Sequence, residues 1–232
     1  MIELQNLCLG PLRDLTMSLP QGQLYALLGP TNSGKSLLLR CLAGLQKPDS
    51  GFVAVHGRVL YSPDSTLDAE HRDEVGMVFD TYAAIPDQSV LENVRLPLDL
   101  RGCDPTEGDE RAMVLLEELG IAEAAKKQPG ELSGGMLTRM QLARALIHNP
   151  RFLILDGPTA GLDPVSSARS LQMIARLLEQ RGATGVVTTH NIRPALPHVE
   201  GVILISGGLA RGPLPAVLAG DVLDFCEGHR PW

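Results

Sequence analysis

The sequence predicts an α/β fold built on a mainly parallel sheet, with a small antiparallel β subdomain and an inserted helical subdomain. Three patterns carry that prediction. Short apolar runs bounded by Gly, Pro or Asp fill the first third of the chain, helical periodicity takes over in the middle, and strand-like and helix-like segments alternate through the last third. With 232 residues, 44% of them hydrophobic and 20% charged, the chain has the composition of a soluble globular protein. That length suits a single domain spanning 1–232 with ample core.

Taken in order, the segments 2–9, 24–28, 52–55 and 75–79 read as strands, and His56-Gly57, between two apolar runs, reads as a hairpin turn. Through 90–148 the pattern is helical: Ala112, Leu115, Leu116 and Leu119 repeat at i, i+3, i+4 and i+7, and Gly120 supplies a stop. Then follow a buried-type strand at 152–155, an amphipathic helix at 165–178, a strand at 185–189, a short helix at 193–198 and a strand at 202–205. Such alternation implies parallel βαβ units. The apolar stretch 199–218 is interrupted by Arg211, Pro213, Pro215 and glycines, so it does not read as a membrane span, which needs about 20 nearly uninterrupted apolar residues.

Composition also excludes functions. Lys+Arg 20 against Asp+Glu 27 leaves a net charge of −7, and no basic cluster is present, so broad nucleic-acid binding is not expected. Trp 1, Tyr 3 and Phe 4 are too few for a base-stacking platform. The four cysteines (Cys8, Cys41, Cys103, Cys226) are scattered without a CxxC pair, as expected of reduced thiols. Met1-Ile2-Glu3 has neither a basic nor an apolar leader character, and a secretory signal is not expected.

The strongest motif is Gly29-Pro30-Thr31-Asn32-Ser33-Gly34-Lys35-Ser36, a complete G-x-x-x-x-G-K-S between an apolar strand and a helical stretch beginning at Leu37. Glycines let successive N–H groups turn toward phosphate oxygens, and the helix N-terminus adds partial positive charge. Lys35 is expected to reach the β- and γ-phosphates and Ser36 to ligate Mg²⁺. A second carboxylate for the metal is Asp156, presented at the C-terminal end of the apolar run Phe152-Leu153-Ile154-Leu155, where ligands bind on parallel sheets. These two motifs sharpen the class to a P-loop NTPase core, with 81–150 as the helical subdomain. No N-K-x-D motif supports guanine recognition.

Between them lies Leu132-Ser133-Gly134-Gly135-Met136, ahead of Arg144-Ala145-Leu146. Alone, Ser133 reads equally as a helix N-cap and Gly-Gly as a tight turn. In this order and spacing, the chain resembles the ATP-binding subunits of ABC transporters over nearly its whole length. The resemblance implies that Ser133, Gly134 and Gly135 bind the γ-phosphate of ATP held by an opposite subunit. It implies that Ala160-Gly161-Leu162-Asp163 crosses a dimer interface, and that His190 contacts the γ-phosphate and attacking water. It further implies ATP and Mg²⁺ as cofactors, and as partners an integral-membrane permease and a second ATP-binding subunit. Its place would be cytoplasmic, peripheral on the inner face of the membrane. Segment 82–98, Pro129-Gly130-Glu131-Leu132 and the tail 221–228 are similar to the MlaF-like, Mce-associated lipid transporters.

Three positions depart from the family. Gly157 stands where a glutamate polarises the attacking water; Asp80 stands where a glutamine senses the metal, and could itself bind Mg²⁺ or replace the base; the turn Leu9-Gly10-Pro11-Leu12 has no aromatic for adenine. A missing general base costs about 10²–10⁴ in rate, and a missing base stack about 1–3 kcal/mol. Hydrolysis in the chain's own site is therefore expected to be slow or absent. The alternative is a nucleotide-sensing or structural subunit that binds ATP without appreciable turnover.

Overall fold

A computed structural model describes residues 1–62, 69–79, 83–189 and 192–215. Its strands form two sheets. In the first, β1 (Ile2–Leu9), β2 (Leu12–Leu19), β4 (Ser50–Val55) and β5 (Arg58–Tyr61) lie in the order β2-β1-β4-β5, with every neighbour antiparallel. The second has the order β10-β9-β3-β8-β7-β6 and comprises β3 (Leu24–Leu28), β6 (Val75–Val78), β7 (Phe152–Leu155), β8 (Thr184–Thr188), β9 (Gly201–Ser206) and β10 (Leu209–Pro215). Only the β10–β9 pair is antiparallel there. The expected class, a mainly parallel sheet with a small antiparallel β part and helices, is what the chain adopts.

Among the described residues there are five α-helices, α1 (Lys35–Leu42), α2 (Val90–Asp99), α3 (Pro105–Glu118), α4 (Gly134–Leu146) and α5 (Pro164–Arg181), beside short 3₁₀ turns. Interior strands β3, β7 and β8 are buried at every residue. Their near-continuous apolar runs follow from a sheet covered on both faces. On one face, α2 to α5 pack a cluster that includes Ala112, Leu116, Leu153 and Leu178. The other face meets α1 and the antiparallel sheet in a second cluster, around Tyr25, Leu39, Phe152 and Leu4. Packing is close where α4 crosses β6: a Cβ on Gly76 would lie 2.3 Å from the Ala145 carbonyl oxygen.

The structure adds two strands and shortens one helix. β2 alternates strictly in burial beyond its first turn, with Leu15, Met17 and Leu19 inward, the signature of a one-sided antiparallel strand. β10 carries Pro213 and Pro215 yet pairs with β9. It lies at the sheet's edge, where a proline removes no ladder bond on the open side. At 193–198 the chain makes a turn followed by a single 3₁₀ turn at Leu196–His198. Pro194 and Pro197 each remove an amide donor that a continuous helix would need.

Candidate functional site

The phosphate loop is built between two fixed elements. β3 ends at Leu28 and α1 begins at Lys35, leaving residues 29–34 to turn over the C-terminal edge of the sheet. A Cβ on Gly29 would sit 2.3 Å from the Ile205 carbonyl oxygen and 2.8 Å from Ser33 Oγ, so no larger residue fits. Gly34 is the N-cap of α1 in a left-handed conformation with φ 101°, and no side chain caps the helix. The first-turn amides therefore have no side-chain acceptor from the cap. Ser33 Oγ is buried with no hydrogen-bond partner. Thr31 and Asn32 are exposed at the tip, Ser36 is exposed, and Leu37 is half-buried.

Lys35 closes the loop from inside. Its Nζ donates to the carbonyl oxygens of Gly29 and Pro30, both at 2.8 Å. Burial lowers the ammonium below the usual lysine range, while the charge of Asp156 pulls it back up. The turn Leu9-Gly10-Pro11-Leu12 abuts this loop, since a Cβ on Gly34 would meet Leu12 at 3.0 Å and Pro11 at 3.2 Å. Leu9 and Leu12 pair across the turn and point into the core. Only Gly10 and Pro11 are left exposed there.

Asp156 follows β7, its N–H donating to the Val78 carbonyl on β6 at 2.9 Å. Its carboxylate is held from the other neighbouring strand: Thr188 Oγ1, at the end of β8, donates to Oδ1 at 2.6 Å. That hydroxyl also accepts the Gly157 N–H at 2.8 Å. Gly157 sits at φ 63°, the left-handed region, and presents no side chain. One residue on, the Pro158 carbonyl accepts from Thr138 Oγ1 of α4 at 3.3 Å. The turn after Asp156 is thus braced by two threonine hydroxyls from different elements.

Thr138 ties that turn to the Ser-Gly-Gly segment as well, because its hydroxyl is 3.1 Å from the Gly134 carbonyl. Ser133 is the N-cap of α4, its Oγ accepting the Met136 N–H at 3.3 Å. Gly134 and Gly135 form the helix's first turn, and a Cβ on Gly135 would meet nothing within 4 Å. This turn is open toward its surroundings. Farther along α4, Arg144 donates to the Ala83 carbonyl and fixes the chain just past residue 82. Asp163 is the N-cap of α5 and accepts the Val165 and Ser166 N–H groups at 2.9 and 3.0 Å. The Ser166 hydroxyl holds the Asp163 carboxyl below its usual range. Its oxygens are engaged by its own helix.

The structure thus gathers Gly29 to Leu37, Asp156 and Gly157 at the C-terminal edge of the parallel sheet, and sets Ser133 to Gly135 at the free end of α4. Asp80 and His190, the two expected catalytic residues, lie outside the described residues, as does the tail 221–228. Sequence reading places Thr188 beside His190 in Thr188-Thr189-His190 but gives it no role, and it passes over Thr138. Their signal was a polar residue closing the strand Thr184-Gly185-Val186-Val187, and one on the mostly apolar buried face of α4. These residues fit a nucleotide phosphate carrying a divalent cation: the loop offers an orphaned buried hydroxyl and an uncapped helix start, and Asp156 an oriented carboxylate. Among the described residues no cluster of three or more His, Cys, Asp or Glu could hold a metal alone. Mg²⁺ needs only one or two protein oxygens when phosphates complete its shell.

Known proteins with the same pattern are numerous. A family described as ABC transporter matches residues 12–160. The chain is 37% identical over 199 residues to the glutamate transport ATP-binding protein GluA of Corynebacterium glutamicum, covering 85% of this chain and 81% of that one. It is 34% identical over 201 residues to the methionine import ATP-binding protein MetN 1 of Acinetobacter baylyi, but covers only 55% of that longer protein. Among solved structures, the ATP-binding cassette MJ0796, a dimer in a post-hydrolysis state bound to ADP and Pi, superposes with a TM-score of 0.80 at 30% identity, over 91% of this chain and 97% of the other.

Proposed function

The chain belongs to the ABC transporter family, and from that membership we propose that it is an ATP-binding subunit that dimerises on ATP to drive a membrane permease, with slow or absent hydrolysis in its own site. The observation that carries the second half is Gly157. The residue after the metal carboxylate has no side chain to orient water or take its proton, and its N–H is already committed to Thr188. Loop amides, Lys35 and Ser36 would hold the triphosphate, and Ser36 with Asp156 would hold Mg²⁺, which would supply positive charge against the phosphates. Ser133, Gly134 and Gly135 would serve the nucleotide of a second subunit. Asp80 and His190 remain the proposed polar partners of metal and γ-phosphate.

Support for pairing comes from the dimeric MJ0796 cassette and from the open first turn of α4. A permease partner follows from the family, and 81–150 is the helical unit proposed to meet it. No helix among the described residues is long and apolar enough to cross a membrane. For cargo we propose membrane lipid, supported by the resemblance of segment 82–98 to the MlaF-like transporters. The matched relatives are named for methionine, glutamate, lipoprotein release and taurine, and their names do not select it.

Steady-state ATP turnover of the purified chain beside Gly157→Glu tests the reading. The substitution is expected to raise turnover by up to about 10²-fold. Robust wild-type turnover that Gly157→Glu leaves unchanged would overturn it. A purely sensing or structural subunit would retain ATP without product in the presence of its partners, and reconstitution with the permease distinguishes that case.

A further inference from the structure

We propose that Thr188 is a positioning residue for the Asp156 carboxylate, and that it sets how far the site favours a nucleotide carrying a divalent cation over a bare one. The inference deepens the nucleotide-site reading and rests on it. β7 and β8 run parallel and in register, with Leu155 opposite Val187. Asp156 and Thr188 are therefore the next residues on each strand, side by side at the edge where the phosphate loop turns. Thr188 is 4% exposed and ends a strand otherwise lined by Thr184, Gly185, Val186 and Val187.

Both capacities of its hydroxyl are used. The single proton goes to Asp156 Oδ1 at 2.6 Å, and an oxygen lone pair accepts the Gly157 N–H at 2.8 Å. With donor and acceptor both fixed, the rotor has one orientation. The carboxylate is pinned through Oδ1, which leaves Oδ2 for a cation or its water. Oriented carboxylates bind metals more tightly because the partner that fixes them removes rotational freedom in advance, and losing such a partner typically costs 10–100-fold in metal affinity.

The test is binding rather than turnover. A fluorescent ATP analogue is titrated into wild type, Thr188→Val and Thr188→Ser, each in EDTA and in Mg²⁺, and Mn²⁺ binding is read in parallel by electron paramagnetic resonance. Thr188→Val is expected to cut the affinity gained from the divalent cation by about 10-fold while leaving affinity in EDTA unchanged, and Thr188→Ser to keep the wild-type gain. If Val proves too damaging to fold, Thr188→Cys keeps similar bulk with a far weaker donor and carries the same expectation. A full divalent gain in the Val or Cys variant overturns the proposal. So does equal weakening with and without cation, which is the mark of a merely structural role. Wild type that binds no nucleotide in either buffer overturns the nucleotide-site reading itself, and the proposal with it.

Discussion

Gly157 shows how one position can set both shape and chemistry. Its φ of 63° lies where a Cβ approaches the following carbonyl, a conformation costing an L-residue about 1–2 kcal/mol. Gly157→Ala is therefore expected to lower stability by about 1 kcal/mol, and Gly157→Asn by less, because Asn tolerates that region. Urea unfolding midpoints check the ranking, and an alanine variant as stable as wild type would contradict it. The same strain means that Gly157→Glu must give up the Thr188 bond or hold the left-handed turn under load, so its rescue of turnover is the more demanding test. At this scale the candidate site was legible where its residues are contiguous. Gly29 to Ser36 and Asp156 announce themselves by spacing alone. Thr188 did not, since its contact spans |i−j| of 32 and exists only because β7 and β8 are neighbours. Nor did Thr138, which reaches Pro158 through the packing of α4.

Helix starts are the elements on which function and stability overlap. Ser89 caps α2 in a full capping box with Glu92, and Ser133 caps α4 by accepting the Met136 N–H. Removing either hydroxyl costs a helix about 0.5–2 kcal/mol. Ser89→Ala and Ser133→Ala are expected to lose comparable stability, yet only Ser133→Ala should weaken ATP-driven pairing, because only that cap faces a second subunit in the proposed function. Denaturant midpoints and light scattering with and without ATP read the two effects. Equal loss of pairing in both variants would reduce Ser133 to a cap. Element boundaries in the sequence were clear where one period dominated: β1, β3, β7 and the buried face of α3 stand where spacing put them. β2 alternates from Leu15 to Leu19, a strand signal that the reading of the segment between Leu9 and Leu24 passed over. β10 was obscured by prolines that only an edge strand tolerates, and edge position is a property of the assembled sheet.

At the scale of the whole molecule, acid sensitivity follows from where imidazoles are buried. His148, just past α4, donates from Nε2 to the Val75 carbonyl at 3.1 Å, and its Nδ1 is buried without a partner. Burial, then Arg101, holds its pKa below the ordinary value against the pull of the Val75 carbonyl and Asp73. His56, in the β4–β5 turn, is lowered by burial first, then by the N-terminal amine, Arg151 and His71, with Glu74 opposing. Both rings are neutral in folded and unfolded chains above about pH 6.5, so their contribution is fully present there. As pH falls below that value the unfolded chain takes up protons first, and stability is lost until the depressed folded values are passed. The carboxylates Glu92 and Asp163 are held low by serine hydroxyls, so they act only at more acid pH and leave the window between about 5 and 6.5 to the histidines. Thermal midpoints should therefore be level near neutrality and decline through that window. His148→Gln keeps a donor for the Val75 carbonyl but binds no proton, and its decline should be shallower than that of wild type. An identical slope would remove His148 from the account and leave the acid loss to His56, where β4 and β5 turn beside the chain's first residue, and to His198, which burial and then Arg176 also hold low.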